Sequence, residues 1–207
     1  MAHILSYSQF SGITKEGARD DKRLSQQFAA RALARDAQDP VVLVHVAIAK
    51  WMTGETPAAR TLIETAREIM PRDPIIMNHQ GQILVYCGEH SRGIDLMEES
   101  VRQETRLATP TKLGMAEGYY LARDYQHALQ IYDSIVDIPW YASILRAACL
   151  AQLGRLEDAK RLTEATLAIA PPTIDTAEFA DNLAAMCVRK EDAENWREGF
   201  RKMGFCK

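Results

Sequence analysis

The sequence predicts an all-α protein, a solenoid of stacked helical hairpins. Three observations carry this expectation: helix stops recur at a near-constant spacing, small residues stand at two fixed offsets from each stop, and the apolar residues follow a helical period with no sustained strand-like alternation. Gly54, Gly88, Arg123 and Gly154 mark the stops, 34, 35 and 31 residues apart. Five residues after them stand Ala59, Gly93, Ala128 and Ala159, and seven residues before them Ala47, Gly81, Ala116 and Ala147. Pro71 and Pro171 follow two of the stops by seventeen residues, and Pro139 follows a third by one fewer.

Each unit reads as two antiparallel helices. Glycine at the mark accepts the left-handed conformation that ends the first helix. The small residues let the two backbones approach closely, and proline closes the second helix before a "DP" or "PP" step opens the next unit. Apolar periodicity places helices over residues 39–53, 55–70, 73–87, 89–105, 109–122, 124–137, 139–153 and 155–170. Upstream, "DKRLSQQFAARALARDAQDP" (21–40) reads as the second helix of a degenerate unit whose first helix is a short one near residues 3–10. Downstream, "TIDTAEFADNLAAMCVRK" and "EDAENWREGFRKMG" add a last pair. In its final helix a charged face surrounds an apolar edge of Trp196, Phe200 and Met203.

About 11 or 12 helices result, in one domain. A degenerate N-terminal unit spans 1–38, repeats span about 40–73, 74–108, 109–139 and 140–172, and capping helices span 173–207. The cap is expected to keep the last core face from water.

Composition narrows the function classes. The 207 residues are 47% hydrophobic and 26% charged, with ample apolar material for a core. A net charge of −3 and a pI near 6.0 argue against nucleic-acid partners. The longest mostly apolar window, "VVLVHVAIA" (41–49), is too short for a membrane span, and the N-terminus lacks the pattern of a secretory signal. The expected location is the cytoplasm. Cys87, Cys149, Cys187 and Cys206 are scattered and are expected as reduced thiols.

The units "AKWMTGETPAARTLIETAREIMP" and "AACLAQLGRLEDAKRLTEATLAIAP" resemble tetratricopeptide repeats, which carry a small residue late in the first helix, glycine at the turn, alanine early in the second helix and proline at the end. "GQILVYCGEHSRGIDLMEESV" departs with Gly93 in place of alanine and no closing proline, "AEGYYLARDYQHALQIYDSIVDIP" with Arg123 at the turn and a shortened second helix. The early tryptophan of the family is missing in all four units. The resemblance covers about residues 20–171 and implies a right-handed superhelix that binds protein segments. The tail "DAENWREGFRKMGF" is similar to the end of repeat regions C-terminal to bacterial adenylate/guanylate cyclase or winged-helix regulator domains. That likeness implies an alternative, a regulatory or sensory segment of a larger bacterial signalling protein acting through self-association or a further domain.

No catalytic motif competes with a binding role. HExxH, GxSxG, a P-loop and GxGxxG are all absent, and adjacent acids such as Glu98–Glu99 point in different directions on a helix. "CGEH" sets Cys87 and His90 at CxxH spacing, but a zinc site needs four ligands and no second pair accompanies them. No catalytic residue, metal ligand or cofactor is expected, and a stand-alone enzyme is the weakest reading.

In the resembling family the first helix of each unit lines the concave groove. The register puts Val44, Ile48 and Trp51 there, then Asn78, Gln82 and Tyr86, then Glu117 and Tyr120, each set on one helix face. Asn78 and Gln82 are expected as exposed amides suited to an extended peptide, and Trp51, Tyr86 and Tyr120 as aromatic anchors, although aromatics at this spacing also pack between helices. The clamp for acidic chaperone C-termini needs basic groove residues that this chain does not have at these positions. The expected function is therefore a protein-interaction module whose partner is a protein or peptide, neither nucleic acid nor membrane. Homo-oligomers are compatible with it.

Overall fold

The computed structural model describes residues 15–171 and 174–205. Among these the chain is all-helical, with eleven α-helices, one 3-10 turn and no strand. The helices are α1 (Lys15–Arg35), α2 (Pro40–Met52), α3 (Thr56–Ile69), α4 (Pro74–Tyr86), α5 (His90–Gln103), α6 (Ala108–Leu121), α7 (Tyr125–Asp133), α8 (Trp140–Gln152), α9 (Leu156–Leu167), α10 (Thr176–Met186) and α11 (Lys190–Lys202). The short helix expected near residues 3–10 lies outside the described residues.

The stops behave as their spacing requires. Gly54, Gly88, Arg123 and Gly154 have φ of 84°, 88°, 65° and 77°. At each, two backbone hydrogen bonds close a Schellman motif: Gly54 N–H donates to the Trp51 carbonyl and Glu55 N–H to that of Lys50, a pattern repeated at the other three. Arg123 holds this conformation without being glycine. At the opposite ends, Asp39 and Asp73 cap the helices that Pro40 and Pro74 open, their side chains accepting from Val41 N–H (2.8 Å) and Ile75 N–H (2.9 Å).

All eight offset residues are buried. The closest approach explains the Gly93 departure. A Cβ on Gly81 would stand 2.6 Å from the Gly93 carbonyl oxygen, and one on Gly93 would stand 2.5 Å from that of Gly81. Helices α4 and α5 touch backbone to backbone, so neither position has room even for alanine. The second helices are amphipathic: α3 buries Ala59, Ile63 and Ala66 along one stripe and exposes most of the rest. The first helices α2, α4 and α8 bury far more of their surface, because they are packed from several sides.

From α1 to α9 each helix packs on the next, and α2 also touches α4, α4 touches α6, and α6 touches α8. Helix α7 ends at Asp133, short of the expected 137. The Ser134 hydroxyl donates to the Ile131 carbonyl, and the chain then turns through Asp137 at φ 53°. The last pair, α10 and α11, makes its main contacts with α6 and α8 beyond those within the pair itself. No helix among the described residues is long and apolar enough to cross a membrane.

Candidate functional site

The eight positions singled out from the sequence fall on α2, α4 and α6, as their register demands. Val44, Ile48, Trp51, Tyr86 and Tyr120 are all buried in one apolar cluster. Trp51 meets Tyr86 edge-on, ring centroids 5.4 Å apart, and the Tyr86 hydroxyl donates to Glu117 Oε2 at 2.7 Å. Gln82 and Glu117 are half-buried, with Gln82 Oε1 3.2 Å from His79 Nδ1. Asn78 corrects its expectation. It is 1% exposed, and its Oδ1 accepts from the Thr111 hydroxyl at 2.9 Å, tying α4 to α6. Its amide is structural rather than presented to solvent.

What covers the ends of these first helices is the C-terminal pair, which runs as a strap past the four stops in order. At the first, the Thr56 hydroxyl donates to the Met186 carbonyl at 2.5 Å, and Gly54 lies against Ala185. At the second, Val188 N–H donates to the Tyr86 carbonyl at 2.9 Å, the Arg189 side chain lies over Gly88, and His90 Nε2 stands 3.0 Å from Asp192 Oδ2. At the third, the Asn195 amide donates to the Tyr120 carbonyl at 3.0 Å, and Arg123 donates to the Glu191 carbonyl at 3.2 Å. At the fourth, Gln152 Nε2 donates to Asn195 Oδ1 at 3.2 Å, and Lys202 Nζ donates to Gln152 Oε1 at 2.7 Å.

Tyr120 is the centre of this contact. Its ring stacks on Trp196 at 4.0 Å between centroids and 11° between planes, and its hydroxyl donates to the Asn195 carbonyl at 3.1 Å. The Tyr125 hydroxyl donates to Asn195 Oδ1 at 2.6 Å, so one asparagine side chain answers groups from three helices. Gly199 sits where the Tyr120 hydroxyl leaves no space for a Cβ. The helix thus carries Asn195, Trp196, Gly199 and Phe200 toward the array, all of them buried.

The electrostatics follow from burial. Glu117 has no cation within ion-pair distance among the described residues, and burial raises its carboxyl from 4.5 to about 7 against the opposing hydrogen bond from Tyr86. Burial, and next the Glu117 charge, pushes the Tyr86 phenol well up. Burial also raises the Tyr120 and Tyr132 phenols and the Cys187 thiol, the last with a further push from Asp192. On the strap, Asp192 Oδ1 and Trp196 Nε1 are buried without a hydrogen bond.

The CxxH pair does not act together. Burial raises the Cys87 thiol while His90 turns to Asp192, and among the described residues no group of three or more His, Cys, Asp and Glu side chains is placed to hold a metal ion. Reading the sequence missed Asn195, Asp192 and Gly199, and weighed His90 only as a zinc ligand. Only Gly199 carried a local signal, a glycine inside a helix between two aromatic residues, where close approach of another group is the usual reason. No protein-family model matches the chain, and the search of curated proteins finds no match either.

Proposed function

We propose that this chain is a protein-interaction module, a right-handed tetratricopeptide-type solenoid that takes a peptide or helix on the inner face of its first helices. Three features support the architecture: the left-handed stops at near-constant spacing, the small residues between paired helices, and the contacts of α2 with α4, α4 with α6 and α6 with α8. The observation that carries the function is the strap. The ends of the first helices hold a helix of polypeptide by an aromatic stack, an asparagine fork and hydrogen bonds to helix-terminal carbonyls. These are the means by which a surface binds protein rather than transforms a small molecule. Gln82, half-buried on α4 as Glu117 is on α6, is a groove position that a partner can reach.

The test starts from a co-purifying protein, titrated against the wild type, Gln82→Ala and Arg161→Ala, the last an exposed control on second helix α9. Binding should weaken at least about tenfold for Gln82→Ala and hold for Arg161→Ala, since a few groove contacts dominate such interfaces. The reverse pattern moves the binding surface to the second helices and sinks the groove assignment.

A further inference from the structure

Glu117 is an acid whose two oxygens are used unequally. Its Oε2 accepts from the Tyr86 hydroxyl at 2.7 Å, while Oε1 has no hydrogen bond among the described residues, and the side chain is half-buried rather than sealed. Its neighbours are drier than it is. Tyr86 and Tyr132 are each 1% exposed, and the Tyr132 hydroxyl finds no partner. Tyr86 from α4, Tyr132 from α7 and Cys187 from the link between α10 and α11 all stand close enough for the Glu117 charge to raise them, and none of them carries a positive charge. A charge in such a place is screened far less than one in bulk water, and without a counter-charge it is poorly stabilised. The amide of Gln82 lies nearby. A Cβ on Gly114 would stand 3.3 Å from Gln82 Nε2, and Gly114 precedes Glu117 on α6 by about one helical turn. Gln82 Oε1 is engaged with His79, whereas Nε2 has no hydrogen bond among the described residues.

We infer that Glu117 is the seat for an ammonium group, the side chain of a lysine on a protein segment lying along α4 and α6. The inference rests on the interaction reading above and names the chemistry of its partner. The unpaired carboxylate selects a cation, and the number of free oxygens selects which cation. A guanidinium binds best through two parallel hydrogen bonds to both oxygens of a carboxylate, and Tyr86 already occupies one of them. An ammonium is a compact charge that needs only the oxygen left over. The apolar stem of lysine suits a recess walled by buried aromatic residues, into which it carries its charge. Gln82 Nε2, one turn along α6 from the acid, is a donor for a backbone carbonyl of the same segment, a group that a free amine does not have.

The probes are lysine blocked as its N-acetyl methylamide, the same compound acetylated on Nε, arginine blocked in the same way, and butylamine. Each is titrated into the isotope-labelled full chain at pH 8 and constant ionic strength, and NMR shifts locate the binding. Blocked lysine should bind in the millimolar range, with shifts centred on Tyr86, Gln82 and Glu117. Glu117→Gln should abolish that binding, and the neutral Nε-acetyl form should not bind. Blocked arginine should bind at least about threefold more weakly, and so should butylamine, which lacks the carbonyl for Gln82. Only the ionised carboxylate attracts the ammonium, and burial holds that carboxyl at about 7, so affinity should fall about tenfold from pH 8 to pH 6. Tyr86→Phe releases Oε2 and should bring arginine up to the affinity of lysine. Shifts that persist in Glu117→Gln, equal binding of lysine and its Nε-acetyl form, or no shift at Glu117 up to the solubility of the lysine probe overturn the seat. Arginine matching lysine in the wild type overturns the single-oxygen argument, and butylamine matching lysine overturns the choice of a side chain over a free amine. The Gln82→Ala titration with the co-purifying protein is read separately. If that loss of affinity holds while the lysine probe fails, the groove stands as the binding face and only its ammonium seat is withdrawn.

Discussion

The repeated array and the strap are both helical pairs, yet different physics holds each together. Within the array, neighbouring helices meet through small residues and apolar stripes, and each contact is made between segments close in sequence. The Gly81–Gly93 approach, twelve residues apart, is the type case. The strap instead reaches back across the chain. Tyr120 and Asn195 are 75 residues apart, and Thr56 and Met186 are 130 apart. It is held by individual hydrogen bonds, an aromatic stack and one buried acid facing a histidine. The array therefore depends chiefly on residue size at its helix contacts, with a few tying hydrogen bonds such as that of Asn78 with Thr111, while the strap depends on particular atoms in particular places. The difference implies that damage to the array lowers global stability, whereas damage to the strap releases one element.

The largest effect expected is at the closest point of the array. Gly81→Leu drives a side chain into the Gly93 backbone, which cannot yield as a side-chain end would. Overpacking costs about 1–3 kcal/mol in ordinary cores and more where backbone must move, so this variant should lose about 3 kcal/mol or fail to fold. Ala147→Leu, at the same offset in another unit, should fall within about 1–3 kcal/mol. Denaturant unfolding of the two beside wild type measures both. Equal and negligible losses would break the claim that these offsets set the helix spacing.

That contrast also explains what could be read from the sequence. Helix stops, caps and small offsets are local, and their period repeats them, so Gly54, Gly88 and Gly154 identified themselves and even Arg123 was placed by spacing alone. Left-handed φ at all four is the outcome. Of the site, the register of Trp51, Tyr86, Glu117 and Tyr120 was legible because a helix face is a local property. Their surroundings were not. Asn78 is buried by Thr111 from another helix, and Tyr120 is covered by Trp196 from the far end of the chain. Long-range partners leave no spacing to read. The same holds for Asp192 and His90, which look like ordinary surface charge until the strap brings them together.

A second effect concerns the half-buried acid that accepts from Tyr86. Glu117 binds its proton more tightly in the folded chain than in the unfolded one, its carboxyl standing at about 7 instead of 4.5. Between those values the folded state holds more protons, so stability falls as pH rises. The stabilising contribution is fully present below about pH 4.5 and is gone above about pH 7. Over that window the loss is on the order of 2–3 kcal/mol. Glu117→Gln keeps an oxygen to accept from Tyr86 and cannot ionise. Melts of the two proteins from pH 5 to pH 8 should start close together and diverge, with the variant the more stable at the alkaline end. Parallel curves would show that the carboxyl is solvated in the folded chain.

The smallest effect separates strap from array at two stops of the same backbone conformation. Gly88 and Gly154 have φ of 88° and 77°, and alanine at either must adopt a left-handed conformation that costs about 1–2 kcal/mol. At Gly154 that is the whole cost, because a Cβ there meets nothing within 4 Å. At Gly88 the Cβ enters the space filled by the Arg189 side chain, which must move aside beside Asp192. Gly88→Ala should therefore cost slightly more than Gly154→Ala in a melt, by a few tenths of a kcal/mol to about 1, since the obstacle is a flexible side chain rather than backbone. The sharper readout is local. Hydrogen exchange at Val188 N–H, which bonds to the Tyr86 carbonyl beside this stop, should quicken in Gly88→Ala and stay unchanged in Gly154→Ala. If both variants quicken it alike, the strap opens only with the whole fold, and the division between array and strap does not hold.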